Sequence, residues 1–168
     1  MKQNIKYILL FLIIIILSGC NRTLYVPTDT DLIYAEMQGQ DLGILNLPLA
    51  STYYNVTGLS LGHINDITYL DSTLTIEKNG TYSINGGFSF TGSSNTEYHI
   101  ALGVNGIRLN HCHAERKIGT GSDVGNAGFT CIDYFNVNDV LTVMVENSDS
   151  AKSVTIHDIN LNVVRVGA

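Results

Sequence analysis

His111, His113 and Glu115 stand at alternate positions of one segment, Asn110-His111-Cys112-His113-Ala114-Glu115. On an extended strand, residues two apart project from the same side, so two imidazoles and a carboxylate could converge on a metal ion. His157 is the late residue that could add a fourth donor. The same pattern suits a strand that outruns the core and leaves its polar side chains solvated or against a neighbouring subunit. The expectation is therefore no metal and no cofactor, with these three as the candidate ligands should one bind. Cys112 and Cys131 flank a glycine-rich connection, Gly119 to Gly128, almost symmetrically. A hairpin would set them on facing strands, where Cα atoms approach closely enough for a disulfide; two buried thiols on strands out of register are the alternative. No Gly-x-Ser-x-Gly elbow marks a nucleophile, and no glycine cluster opens a helix to cradle a phosphate. No catalytic residue is assigned, and the chain is read as a non-enzyme.

The third cysteine, Cys20, has a different setting. Lys2 and Lys6 form a positive N-terminal region, followed by an unbroken apolar run from Tyr7 to Leu17. That run is short of the roughly 20 apolar residues of a spanning helix but suits the apolar region of an export signal. It ends in Leu17-Ser18-Gly19-Cys20, which resembles the lipobox of bacterial lipoproteins. The resemblance implies cleavage after residue 19 and acylation of the Cys20 thiol; a plain signal peptide or membrane anchor with a chance cysteine is the alternative. Two acyl chains anchor a protein stably where one does not. Asn21, rather than Asp, follows the cysteine, which by the same resemblance favours the outer membrane in a Gram-negative host. Residues 20–31 then read as a polar tether, containing Pro27, of at most about 33–36 Å per ten residues.

The chain has 168 residues, and what remains after the signal is one ordinary domain, long enough to bury a core without staples. Its formal charge of -6 becomes -8 once Lys2 and Lys6 leave with the signal. An acidic surface repels nucleic acid and anionic lipid headgroups, so neither is a direct partner. Trp is absent, Pro is scarce, and there are 16 Gly, a balance that suits strands joined by turns.

From Leu32 onward the hydrophobic period is two. Leu74 and Ile76, Tyr82 and Ile84, Tyr98 to Val104, Leu141 to Val145, and Ile159 to Val163 each alternate with polar or small residues. Turn signals separate the runs at Lys78-Asn79-Gly80, Asn85-Gly86-Gly87, Asn105-Gly106, Gly119-Thr120-Gly121, Asn136 to Asp139 and Asn147 to Ser150. About eight to ten short strands predict a β-sandwich or jelly roll over residues 32–168, without internal repeats. One segment departs from the alternation. Phe129 and Phe135 fall on one strand face while Ile132 and Tyr134 fall on the other. Either a subunit contact covers the second face, or a bulge shifts the register midway.

The order of these runs resembles the jelly-roll family of tumour necrosis factor and the globular head of complement component one-q. An early strand, Ile33 to Met37, precedes a long irregular stretch. Gly80-Thr81-Tyr82-Ser83-Ile84 is similar to that family's Gly-x-Tyr-x-apolar strand. Ile100 to Gly106 is similar to its strand ending in Asn-Gly, and Asn138-Asp139-Val140-Leu141-Thr142-Val143 to its Gly-Asp turn, with Asn138 in place of the Gly. The resemblance implies a ten-strand all-β jelly roll, a homotrimer, and a binding rather than catalytic role. Domains of this kind also occur in phage structural proteins, so a phage-encoded lipoprotein fits as well. The His-x-His pair is similar to that of cupin jelly rolls, but Glu115 follows too soon and no later motif with its own His appears.

The function expected is that of a membrane-anchored, extracytoplasmic lipoprotein at the cell surface or in the periplasm. Its jelly roll would act as a binding, adhesion or structural module for a protein or glycan. The alternatives are a cupin-like metal-dependent enzyme using His111 and His113, and a purely structural envelope lipoprotein. Contact loops are expected at Ser60 to Asp71, Thr91 to Asn95, Ile118 to Asn126 and Ser148 to Lys152, since loops on a rigid scaffold carry recognition.

Overall fold

The computed structural model describes residues 32–119, 123–149 and 151–168. The signal and lipobox, Cys20 and the tether lie outside the described residues. Eleven strands follow in chain order. They are β1 (Tyr34–Leu47), β2 (Tyr54–Asn55), β3 (Ser60–Asn65), β4 (Ile67–Leu70), β5 (Thr73–Ile76) and β6 (Gly80–Gly92). Then come β7 (Glu97–Val104), β8 (Ile107–Lys117), β9 (Val124–Phe135), β10 (Val140–Asn147) and β11 (Lys152–Gly167). The first sheet has the order β3-β1-β11-β6-β9 and the second β4-β5-β10-β7-β8, with β2 added beside β10. Every ladder is antiparallel. Two such sheets packed face to face, with most sequence neighbours in opposite sheets or non-adjacent positions, make a jelly-roll β-sandwich.

The alternation seen in the sequence becomes the core. Leu74, Ile76, Tyr82, Ile84, Tyr98, Leu102, Leu141, Val143, Leu161 and Val163 are all fully buried between the sheets. Burying such a side chain stabilises the fold by roughly 1.5–3 kcal/mol, so the inward rows of both sheets dominate the energetics. Tyr82 keeps its polar end satisfied at the core's edge, where its hydroxyl donates to the Lys78 carbonyl at 2.6 Å.

Turn chemistry is as expected at Asn105 and Gly106, both at positive φ, which closes a two-residue hairpin between β7 and β8. The Asn105 side chain also reaches the next turn, donating to Asp139 at 2.8 Å and accepting from the Val140 amide at 2.9 Å. Asn138 takes a φ of 71°, the left-handed conformation that a glycine would otherwise supply, and Asn is among the few residues that tolerate it.

Four expectations need correction. Asn85-Gly86-Gly87 is not a turn but the middle of β6, with Gly86 paired to Phe129 and Gly87 to Gly128. These glycines make room: a Cβ on Gly86 would meet the Phe129 ring at 2.7 Å, and one on Gly128 would meet the Gly86 carbonyl at 3.0 Å. The stretch after Met37 is not irregular, since β1 continues to Leu47 through a bulge between Gln40 and Gly43, and β2, β3 and β4 follow. The strands are also longer than the turn signals suggested, β11 reaching 16 residues. Finally, β8 and β9 are not a hairpin. They form the outer edges of different sheets. Cys112 and Cys131 nevertheless meet, Cα to Cα 5.4 Å, in a disulfide that joins the two sheets across the sandwich edge. The ladder between β6 and β9 runs from Gly80↔Phe135 to Thr91↔Val124 without any register shift, which removes the bulge as the explanation for the two apolar faces of β9.

Two outcomes follow for stability. Gly86→Ala should cost about 1–3 kcal/mol by overpacking against Phe129, whereas Gly87→Ala, which meets nothing within 4 Å, should change the urea midpoint little; equal losses would refute the packing account. The Cys112→Ala/Cys131→Ala pair should lose about 3 kcal/mol, read in calorimetry as a fall of roughly 10 °C in Tm, and an unchanged Tm would show the bridge to be idle.

Candidate functional site

Three surfaces carry the chemistry that the core positions. The first lies at one end of the sandwich, where the chain ends of both sheets are laced by backbone hydrogen bonds. The Asn95 amide donates to the Ile118 and Gly119 carbonyls, each at 2.9 Å, and the Ile118 amide to Thr96 at 2.9 Å. Ser148 donates to Glu97 at 3.1 Å and Ser51 to Asn147 at 2.8 Å. The expected contact segments around 91–95, 118–126 and 148–152 therefore share one end, with 120–122 and 150 outside the described residues. Ser60 to Asp71 does not join them, because it forms the edge strands β3 and β4.

The second surface is the outer face of the first sheet. Gln38, Gln40, Ser89, Asn126, Asp158 and Asn160 rim an open trough of about 680 Å³ whose floor includes Gly39 and Gly87. Around it, Asn160 donates to Glu36 at 2.7 Å and Thr130 to Asn85 at 2.9 Å, a lattice of short polar side chains. At the β9 edge the same face turns apolar: Ile132 and Tyr134 are 60% and 48% exposed. Exposed Val124, on the same strand, and Val137, just beyond it, add to this.

The third surface is the outer face of the second sheet, where β10, β7 and β8 place Glu146, His99 and Glu115 in one cross-strand row. His99 Nε2 lies 3.0 Å from Glu97 Oε1, and Nδ1 lies 2.9 Å from Glu146 Oε1 and 3.9 Å from Glu115 Oε1. The close Nδ1 approach is an ion-pair distance out of line for a hydrogen bond, and Nδ1 is buried with no hydrogen-bond partner. Glu146 itself is only 6% exposed. Beside it, Arg108 donates to the Tyr53 hydroxyl at 2.8 Å and lies 5.2 Å from the centre of the ring. Burial raises the Tyr53 phenol above its ordinary value, opposed by the hydrogen bond from Arg108 and reinforced by the Glu146 charge. The bond to Tyr53 in turn raises Arg108.

The structure divides the residues singled out in the sequence. His111 turns to Asp133 on β9, Nε2 to Oδ2 3.6 Å, while His113 faces Glu115 at 3.3 Å. His157 sits at the bulge of β11 and reaches Thr91 at 3.2 Å. Among the described residues, the group whose donor atoms lie within 4.8 Å of one another is Glu97, His99 and Glu115. Of the expected ligand set only Glu115 enters it. Glu97 and His99 carried the same signal as His111 and His113, one-sided polar residues at a spacing of two, but on a strand whose other face was so apolar that it read as pure core.

No family model matches the sequence, and no curated protein matches it. Solved structures do match in shape. Eiger TNF from S. frugiperda has a TM-score of 0.60 at 10% identity, over 82% of this chain and 94% of its own. Murine APRIL at pH 5.0 gives 0.57 at 10% identity over 79% and 99%. The fold is a TNF-like jelly roll. The PRD1 vertex protein P5 shares it as well, with a TM-score of 0.53 at 14% identity over 80% of this chain and 97% of that one. At these identities the likeness concerns the fold alone. Within the TNF-like jelly roll of this chain, the apolar β9 edge and the polar trough lie on one sheet and the ionic row on the other.

The raised phenols set a pH response. Tyr53 is shifted upward, and so is Tyr82, the latter chiefly by burial. A phenol raised in the fold holds its proton longer there than in the unfolded chain, so its contribution is complete below about pH 10 and is lost as pH climbs through the folded value. Urea midpoints should hold steady to about pH 9 and fall by about pH 11, with a shallower fall in Tyr53→Phe/Tyr82→Phe; an identical slope in the variant would assign the loss to other groups.

Proposed function

We propose that this chain is a membrane-tethered lipoprotein, acylated at Cys20, whose TNF-like jelly roll self-associates as a homotrimer and serves as an extracytoplasmic binding module rather than an enzyme. The observation that carries the self-association is the outward face of β9. A monomer gains nothing from exposing Ile132 and Tyr134 on an edge strand held in unbroken register with β6. Covering each such side chain contributes roughly 1.5–3 kcal/mol. The polar trough beside it offers short amide and hydroxyl groups that a neighbouring copy can satisfy. The resemblance of the strand motifs to the tumour necrosis factor jelly roll favours a trimer over other oligomers.

The tether is supported by the sequence: a positive start, an apolar run of signal length, and a cysteine placed where that run stops. A domain held on residues 20–31 acts only on what reaches the membrane surface, which in a Gram-negative cell is the outer membrane. Three loop segments gathered at one end of a rigid sandwich supply the contact surface for a protein or glycan. A binding role is supported over catalysis because His111 and His113 turn to different carboxylates, leaving the cupin-like alternative without its ligand set. The likeness to a vertex protein favours a structural role as the second reading.

The test uses the full chain made in cells and extracted from membranes with detergent. Mass spectrometry should find Cys20 as an acylated N-terminus, and sedimentation should give three copies, falling to one in Ile132→Asp/Tyr134→Asp. An unmodified start sinks the tether, and a wild-type monomer at about 100 µM, where even micromolar affinity would populate the complex, sinks the trimer.

A further inference from the structure

The geometry points to a binding site for a zinc-like divalent cation on the outer face of the second sheet, made by His99 with Glu97 and Glu115 and backed by Glu146. No ladder slip is needed to assemble it. β10, β7 and β8 put Glu146, His99 and Glu115 side by side, and Glu97 follows on the same face of β7, two residues before His99. The donor atoms of Glu97, His99 and Glu115 lie within 4.8 Å of one another. Ligands bound about 2.0–2.2 Å from a tetrahedral zinc ion sit roughly 3–4 Å apart, so small rotamer adjustments close the set.

Two further observations separate this group from an ordinary exposed acidic cluster. His99 Nδ1 is buried and makes no hydrogen bond, although Glu146 Oε1 stands only 2.9 Å away, off the line along which an N–H would donate. With Nε2 turned to Glu97 as the nitrogen that would bind the ion, Nδ1 faces Glu146, the place of the outer-shell carboxylate that backs a ligating imidazole. Glu146 is also almost wholly buried, its side chain 8% exposed, and it sits between His99 and the Tyr53 hydroxyl, which fixes it behind the imidazole. The permanent countercharges nearby are Arg108, whose side chain is already engaged with Tyr53 and Asn110, and Lys117, which stands across the ladder from Glu97. Three carboxylates against these two cations leave a net negative group that attracts a further cation.

The donor chemistry chooses among cations. Carboxylates alone would suit calcium or magnesium, whereas an imidazole at the centre of the set selects zinc and its first-row neighbours. Glu97 and Glu115 are about half exposed, so the ion has a path in and an open side facing solvent. His113 Nε2 lies 3.3 Å from Glu115 Oε1, the same oxygen that faces His99, and helps to hold that carboxylate in place.

The experiment titrates Zn²⁺ into untagged full-length protein, purified in detergent and stripped with a chelator, and follows it by calorimetry and thermal unfolding, with Ca²⁺ as the contrasting ion. One equivalent of Zn²⁺ should bind per chain and raise Tm, and Ca²⁺ should neither bind comparably nor compete. His99→Gln and Glu115→Gln should each weaken Zn²⁺ at least tenfold, the lower bound for disturbing even an outer-shell partner. Glu115 is exposed enough that its variant folds regardless of His99, which guards against a fold-loss artefact. His111→Ala should bind like wild type. Absence of saturable binding, binding untouched by both Gln variants, loss in His111→Ala, or Ca²⁺ binding that survives His99→Gln would each overturn the site and leave His99 as the centre of a polar cross-strand row. None of these outcomes depends on the tether or on the number of copies in the assembly.

Discussion

Register is the constraint on which the rest of this structure depends. The rung that turns Val145, Ile100 and Ala114 toward the core is adjacent to the rung that turns Glu146, His99 and Glu115 outward. Because side chains alternate with a period of two, a slip of one residue would exchange the two sets, driving charges into the core and exposing its aliphatic face. Core packing therefore does more than stabilise. It fixes the polar row to within the tolerance of a ladder hydrogen bond, without any loop involved in holding β7 against β10. A site built on strands in this way is held more tightly than one carried on loops.

Where the ladder alone is insufficient, local chemistry completes it. The first sheet must accept Phe88 and Phe129 on adjoining strands, their rings 5.8 Å apart, and it does so by giving up a side chain at Gly86. Glycine weakens a strand interior by entropy, and the return here is an aromatic pair seated in the core. At the sandwich edge, the order of the strands leaves β8 and β9 without a ladder between them, since each ends a different sheet. The Cys112–Cys131 bridge supplies the link that hydrogen bonds cannot.

These compensations explain what the sequence could and could not disclose. Alternation in 74–76, 82–84, 98–104, 141–145 and 159–163 was legible because each run turns a row of large apolar side chains to the core, although 141–145 is buried on both faces, and the sandwich followed from it. The glycine pair at 86 and 87 was misread, since glycine that ends a strand and glycine that makes room inside one look alike until the partner strand is known. The segment from Ser60 to Leu70 hid two strands because its edge position leaves few residues buried, with only Ile67 of β4 in the core. The cysteines could be paired from their spacing, but not assigned to opposite sheets, because topology is not a local property. For the same reason the meeting of Glu97 and His99 with Glu115 and Glu146 was not legible: their proximity is a matter of strand order, whereas His111, His113 and Glu115 are contiguous in one strand.

The two outer faces differ in what covering them would cost. On the second sheet, a partner laid flat over Glu97, His99 and Glu115 would strip water from charged groups, a penalty that attraction between them rarely repays without well-aligned partners. On the first sheet, the trough presents amides, hydroxyls and glycine backbone that hydrogen-bond as well to protein as to water, and its β9 margin presents Ile132 and Tyr134, whose burial is favourable outright. Hydration therefore sets a direction for any assembly of copies. In a self-assembly of the kind proposed, the amide and aliphatic face would turn inward and the ionic row would stay in solvent.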